Sequence, residues 1–346
     1  MMQWSKWALF LAAAEVVGCS SSATSAPSSA SPMDGSSAAD AATGEPHVAI
    51  GPIDVPANVE KTVCIVTNLG NAEGMVVSSM TSTLAPGSHH LIVYRTEDPE
   101  NLTPVACRPF AGIASGTDTP ILVATTLDGT FSFPSGVGLE LKPNQRLRVE
   151  AHYLNTGATD LKGEGTVTFH GTPGAAPFQP ADVFVWGTVK ITIPPMATFS
   201  TGPLFQAGIA GTHLVTLSTH EHRLGTRVQV WSSASEGDLG QALADDTDWA
   251  NPAWRSLNPP LDYSGSNGLS FKCDWDNTTG KAVTFGEGAL DEMCFVLGYY
   301  YPSSGVDTCI DGSCMFATAR FADAGAAADA GAPSDGGPDA GSDGGP

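Results

Sequence analysis

Between residues 47 and 318 the apolar positions recur every second residue or gather in short β-branched and aromatic runs. Lys61-Thr-Val-Cys-Ile-Val-Thr67, Leu91-Ile-Val-Tyr94, Leu147-Arg-Val-Glu-Ala-His-Tyr153 and Val183-Phe-Val-Trp186 are of this kind. A period of two is that of a strand with one buried face, and Gly, Pro and Asn clusters bound the runs at the short intervals that tight turns require. No run carries a sustained 3.6-residue period. The best helix candidate, Gly240-Gln-Ala-Leu-Ala-Asp-Asp246, covers barely two turns. Many short strands with frequent turn signals predict an all-β chain of sandwiches or barrels. The stretch Gly171-Thr-Pro-Gly-Ala-Ala-Pro-Phe-Gln-Pro180 is the expected seam between two sandwiches, which places domains over 47–172 and 173–320.

The two ends of the chain lack this pattern. Lys6 precedes the apolar run Trp7-Ala-Leu-Phe-Leu-Ala-Ala-Ala14 and then Val16-Val-Gly-Cys19, with Glu15 interrupting. A basic residue, a short apolar run and small residues before a cut describe an export signal over 1–18, too short to span a bilayer as a mature helix. A cysteine first after cleavage looks like a bacterial lipoprotein signal, with Cys19 as the lipidation site; ordinary secretion is the alternative. Residues 19–46 are mostly Ser, Ala, Thr, Pro and Gly and read as a flexible tether, and 321–346 as a disordered Asp/Gly/Ala/Pro tail. The expected location is therefore an exported one, lipid-anchored at the bacterial outer membrane or cell surface, or in the periplasm.

Charge and cysteines narrow the classes further. Lys and Arg number 15 against 36 Asp and Glu, a formal charge of −21. Such a balance repels nucleic acid and anionic membrane surfaces, so no nucleic-acid partner is expected. With Cys19 lipidated, Cys64, Cys107, Cys273, Cys294, Cys309 and Cys314 remain. Export makes disulfides the default, and no spacing is that of a zinc-type pair. Fifteen pairings are open to six cysteines; sequence position suggests Cys64–Cys107, Cys273–Cys294 and a small Cys309–Cys314 loop.

The histidines carry the candidate chemistry. His220 and His222 flank Glu221 at the end of Leu214-Val-Thr-Leu-Ser-Thr219. Residues two apart on a strand share a face, so both imidazoles can converge on one ion, though imidazole alone does not choose among zinc, copper, iron and nickel. His89 and His90 are adjacent and would face opposite ways on a regular strand, so joint ligation requires a twist or bulge. Taken alone, His152 reads as a hydrogen-bonded core or surface histidine and Met293 as core packing. His47 and His170 fit structural or surface roles, and His213 an outer hydrogen bond to the second site. Tyr299-Tyr-Tyr301 reads as strand packing.

In combination, Ser88-His-His-Leu91, Ala151-His-Tyr153, Thr219-His-Glu-His-Arg-Leu-Gly225 and Asp291-Glu-Met-Cys294 resemble the copper type II ascorbate-dependent monooxygenases that act on peptidylglycine and dopamine. Pro134-Ser-Gly-Val-Gly-Leu139 and Thr212-His-Leu-Val215 agree as well, and the likeness spans residues 48 to 317. The resemblance implies two tandem antiparallel jelly-roll sandwiches and two copper ions. His89, His90 and His152 would hold the electron-transfer copper, and His220, His222 and Met293 the copper where O2 binds. It also implies ascorbate or another reductant as donor, and bridges at Cys64–Cys107 and Cys273–Cys294. The family pattern has no cysteine opposite Cys309 within the second domain's early strands, which supports the Cys309–Cys314 pairing. Imidazoles suit copper in either oxidation state, and a thioether favours Cu(I).

The peptide-specific part of the pattern is absent. Where peptide-hydroxylating members place an Arg, an Asn and a Tyr around the substrate carboxylate, this chain has Ser218, Phe295 and Leu297. A carboxylate would lose its charge-assisted hydrogen bonds there. The expected activity is therefore C–H hydroxylation of a small neutral or apolar molecule by a monomer. A surface copper-storage lipoprotein and a degenerate sandwich binding module are the rival readings.

Overall fold

The computed structural model describes residues 44–110, 118–174, 177–264, 267–288 and 290–317. The export signal, Cys19, all but the last three tether residues and the tail lie outside them. The described residues form 24 strands and no helix, so the all-β expectation holds. Gly240–Asp246 contributes a strand, β18 (Ala242–Asp246), because Ala244 packs into a core through alternation of the chain.

Four large sheets make two sandwiches. The first sheet runs β1 (His47–Val55), β10 (Leu161–Pro173), β3 (Met75–Leu84), β8 (Val137–Leu141) and β11 (Gln179–Pro180), with β7 (Asp128–Ser132) also on β3. Facing it is the second: β5 (Asn101–Ala106), β2 (Val59–Asn68), β9 (Arg146–Asn155), β4 (Ser88–Arg95) and β6 (Thr119–Ala124). Val77, Met80 and Phe169 of the first meet Ile65, Leu91 and Val149 of the second in one core. The third sheet runs β19 (Arg255–Asp262), β16 (His213–His220), β22 (Cys294–Tyr301), β12 (Asp182–Thr188), β23 (Val306–Ile310) and β24 (Ser313–Ala317). Its partner is β14 (Ala197–Ser200), β20 (Gly268–Asn277), β17 (Gly225–Ser233) and β18, with β15 (Leu204–Ala207) on β20; β13 (Thr192–Ile193) and β21 (Val283–Thr284) form a small ribbon. Trp186, Leu217, Val230 and Phe271 lie in the core between them. Within the Gly171–Pro180 stretch, β10 extends to Pro173 and β11 pairs in parallel with β8, so strands of the second pair of sheets start at Asp182.

The same device closes a strand in each sandwich. Asn155 ends β9 and donates from Nδ2 to the carbonyls of Val55, Pro56 and Thr159. Asn277 ends β20 and donates likewise to Ile193, Pro194 and Lys281. Each amide satisfies carbonyls of a turn that holds a residue at positive φ, Asn58 at 57° and Met196 at 54°. Asn277, although in an Asn-Thr-Thr sequence, is thus a buried structural residue.

The second and third sheets meet across the seam. Ile92, Tyr94 and Val123 pack on Leu297, with Val185 and Trp254 beside them. The Tyr299 ring stacks on Phe131 at 4.6 Å, and its hydroxyl donates to the Ile121 carbonyl. Arg95 pairs with Asp182 at 3.2 Å, both nearly buried. Tyr300, one residue on, faces its own sandwich core; strand alternation divides the tyrosines between two hydrophobic layers.

All three expected disulfides are formed: Cys64–Cys107, Cys273–Cys294 and Cys309–Cys314. They belong to a chain that matures outside the reducing cytosol, in a periplasmic or extracellular setting.

Candidate metal centre

Two strand ends bring the histidines together. On β4, Ser88 is paired with Tyr153 and His90 with His152, so one extra residue, His89, is inserted between them. This is the bulge that the adjacent pair requires, and it turns His89 out of strict alternation. His90 and His152 face each other across β4 and β9 with ring centroids 4.8 Å apart. In the other sandwich, Thr219 pairs with Val296 and His220 with Phe295. Met293 directly precedes β22 and lines a common cavity with His220. His220 and His222 stand 5.1 Å apart.

All six side chains are buried; His89, at 6 %, is the most exposed. Burial, with the neighbouring rings, holds His89, His90 and His220 well below the usual imidazole range, and burial pushes His222 down to about 4. The four are therefore neutral at pH 7 and carry lone pairs. Nε2 of His89, His220 and His222, Nδ1 of His152 and both nitrogens of His90 have no hydrogen-bond partner. Unsatisfied buried nitrogens each cost about 1–3 kcal/mol, and a cation among them removes that cost. Ligating atoms of His89, His90 and His152 lie within 4.8 Å of one another, and so do those of His89, His220 and His222. Such donors fit a borderline ion such as copper, and a nearby thioether adds a soft donor.

Carboxylates hold these rings from behind. Glu60 Oε1 lies 2.9 Å from His152 Nε2, which leaves Nδ1 facing the cluster. Buried Glu150 accepts from the Tyr94 hydroxyl and the Phe110 N–H, and its Oε1 is 3.5 Å from His90 Nε2. Glu292 accepts from the N–H groups of His222 and Leu224 and from Trp275 Nε1, fixing the turn that carries His222. Burial raises Glu292 to about 7 and Glu221 to about 9.

Beside His220 and Met293 opens a cavity of about 230 Å³. Its wall is apolar: Phe110 and Val123 come from the first sandwich, Phe285, Phe295, Leu297 and Ile310 from the second. Phe295 and Leu297 thus line it, whereas Ser218 is fully buried within β16. Glu287 contributes a carboxylate, paired with Arg108 across the seam. Ile310 and Met315 stand on the β23–β24 hairpin, which the Cys309–Cys314 bridge ties at its turn.

Residues 180–318 match the copper type II ascorbate-dependent monooxygenase, C-terminal domain. That segment is similar to this family's C-terminal domain. It contains His220, His222 and Met293; His89, His90 and His152 precede it. No match was found among curated proteins. Among solved structures, the major capsid protein P2 of bacteriophage PM2 is 7% identical, covering 70% of this chain and 97% of that one, with a TM-score of 0.29. The tail fiber protein gp63.1 of an E. coli phage is 7% identical, covering 75% and 39%, with a TM-score of 0.20. Neither score supports an inference.

Several residues around these histidines are not singled out by the sequence. Glu150 had a signal, since it lies two residues before His152 on the same strand face. Glu292 adjoins Met293. Glu60 and Phe110 had none, because only the folding of distant segments brings them to the rings. His213 stands at the opposite end of β16 from His220, about 23 Å away at strand rise. It pairs with Asp262 and stacks on Tyr301 instead of supporting the second site. His170 bonds Thr81 and Glu45, and His47 bonds the Glu45 carbonyl.

Proposed function

We propose that the protein is a copper-dependent monooxygenase that hydroxylates a C–H bond of a small, neutral, apolar molecule with O2 and a reductant such as ascorbate. The observation that carries the reading is the apolar cavity that opens directly on His220 and Met293 in a segment similar to the copper monooxygenase C-terminal domain. Copper, when bound, would supply O2 binding and the electrons for C–H cleavage. His89, His90 and His152 would hold the electron-transfer ion, and His220, His222 and Met293 the ion facing the cavity.

The protein's own groups would position the substrate and keep water away. Phe110, Phe295 and Leu297 exclude a charged substrate group, because an ion would lose its hydration there with no partner in return. Glu287 is already committed to Arg108. Glu60 and Glu292 would orient the ligating rings without touching substrate. Cys19 would carry a lipid that tethers a monomeric enzyme to a bacterial membrane surface. A Cys19→Ala form that still fractionates with membranes would refute the anchor.

The deciding experiment is oxygen uptake by copper-loaded protein with ascorbate and a panel of small apolar compounds, beside a peptidylglycine. Substrate-dependent uptake with a hydroxylated apolar product, lost in His220→Ala, is expected. Bound copper with no substrate-dependent uptake would make the protein a copper store. Efficient turnover of the peptidylglycine would overturn the substrate class.

A further inference from the structure

Among the described residues that line the apolar cavity, Glu287 carries the one carboxylate, and no Lys or Arg is present. Glu287 stands on the turn after Phe285, where the Gly286 N–H donates to the Glu292 carbonyl at 3.3 Å. Arg108 reaches it from the first sandwich as a two-point fork. Its Nη2 donates to Oε1 at 2.9 Å and its Nε donates to Oε2, so both carboxylate oxygens are taken. The arginine is held on either side in sequence. Cys107 before it is bridged to Cys64, and Phe110 after it donates its N–H to the Glu150 carboxylate at 2.9 Å. The pair is asymmetric, with the Glu287 side chain 17 % exposed and that of Arg108 72 %.

We infer that Arg108 determines the charge selectivity of this cavity: its fork on Glu287 leaves the wall open to neutral molecules and closed to cations. The inference rests on the apolar-cavity reading above and assigns the exclusion of cations to one positioning residue that does not itself line the cavity.

An apolar wall does not exclude an ammonium group when a free carboxylate stands in it. A chain of formal charge −21 draws cations toward its surface, and a poorly solvated carboxylate holds one through a charge-assisted hydrogen bond. With the guanidinium on both oxygens, an arriving ammonium finds no acceptor and meets a like charge. Because the arginine side of the pair lies in water, its contribution to folding is small, and the consequence of the pair falls on ligand choice. Size is set by the cavity of about 230 Å³. An apolar cavity of about 150 Å³ holds benzene, so a benzene ring with a short chain fits here.

The test measures binding of n-butylbenzene and 3-phenylpropylammonium, which match in heavy-atom count and differ in charge. Calorimetry on the full copper-loaded chain near neutral pH, without reductant, reads binding with no turnover. The parent should bind butylbenzene at least about tenfold more tightly than the ammonium. Arg108→Ala should tighten the ammonium by about 10–100-fold and leave butylbenzene within about threefold. Adding Glu287→Gln to that variant should remove the gain, and this comparison also subtracts any amine bound at copper. Arg108→Lys, which keeps the charge, should keep the preference of the parent. A merely structural role for Arg108 would move both ligands together. An Arg108→Ala form that binds the ammonium no better than the parent, or a gain that survives Glu287→Gln, would overturn the assignment and leave the cavity reading standing. Failure of butylbenzene to bind the parent would overturn the cavity reading and this inference with it.

Discussion

Glu292 offers the sharpest test of how the turn at His222 is held. Its carboxylate, fully buried, accepts three hydrogen bonds: Leu224 N–H at 2.8 Å, Trp275 Nε1 at 2.9 Å and His222 N–H at 3.1 Å. Glu292→Ala leaves three buried donors unpaired at about 1–3 kcal/mol each, so a loss of about 3–9 kcal/mol is expected. Glu292→Gln isolates the charge. Burial raises the Glu292 carboxyl from 4.5 to about 7. A group raised in the fold contributes stability that is present below its unfolded value and lost as pH rises through the folded one. Between pH 5 and pH 8 that loss integrates to about 2–3 kcal/mol for the parent. The glutamine has no proton to lose. Histidines that are neutral in the fold and protonate on unfolding also make stability depend on pH in metal-free protein, but they are common to both proteins and largely cancel in the difference. Urea unfolding of metal-free parent and variant at pH 5, 6, 7 and 8, followed by tryptophan fluorescence, measures it. The stability difference should move by about 2–3 kcal/mol in favour of Glu292→Gln as pH rises. A difference independent of pH would show that Glu292 is ionised throughout and that burial does not govern it. In the copper-loaded protein, loss of this support should weaken binding at His222 by about 10–100-fold.

Three further outcomes follow from the packing. A Cβ at Gly187 would meet the Phe295 ring at 2.0 Å and the Cys294 carbonyl at 2.5 Å; Gly187→Ala should cost about 1–3 kcal/mol and, by driving Phe295 into the cavity, abolish binding of an apolar fluorescent probe. Arg95→Met strands Asp182 in the seam and should cost about 3–5 kcal/mol in urea unfolding, while Arg108→Ala, at an exposed pair, should leave stability nearly unchanged. Removing the Cys309–Cys314 bridge as a double serine variant should cost about 2 kcal/mol through loop closure and raise the mobility of the β23–β24 hairpin, read by amide exchange.

The sequence by itself determined the class of structure. Period-two patterning is local, so strands such as Arg146–Asn155 and Cys294–Tyr301 could be read without their partners, and the lack of helical period excluded helices. Ligand types were legible as well, because His220-Glu-His222 lies along one strand direction and carries its own geometry. The disulfides followed from chain position. Only the tertiary structure decided what the histidines form. Whether His89 faces His90 or turns from it depends on a single inserted residue, and a bulge is set by pairing with Tyr153 and His152, more than sixty residues away. That His89 lies equally close to the histidines of both sandwiches depends on how the second and third sheets dock, through Arg95, Asp182, Tyr299 and Ile121. No local pattern encodes such contacts. Polar supports divide the same way: Glu150 shares a strand face with His152, but Glu60 and Phe110 reach the site only through long-range folding. The cavity is tertiary too, since its wall joins Phe110 and Val123 to Phe295 and Leu297 across the seam, and hydrophobic patterning says that such residues are buried, not what they enclose.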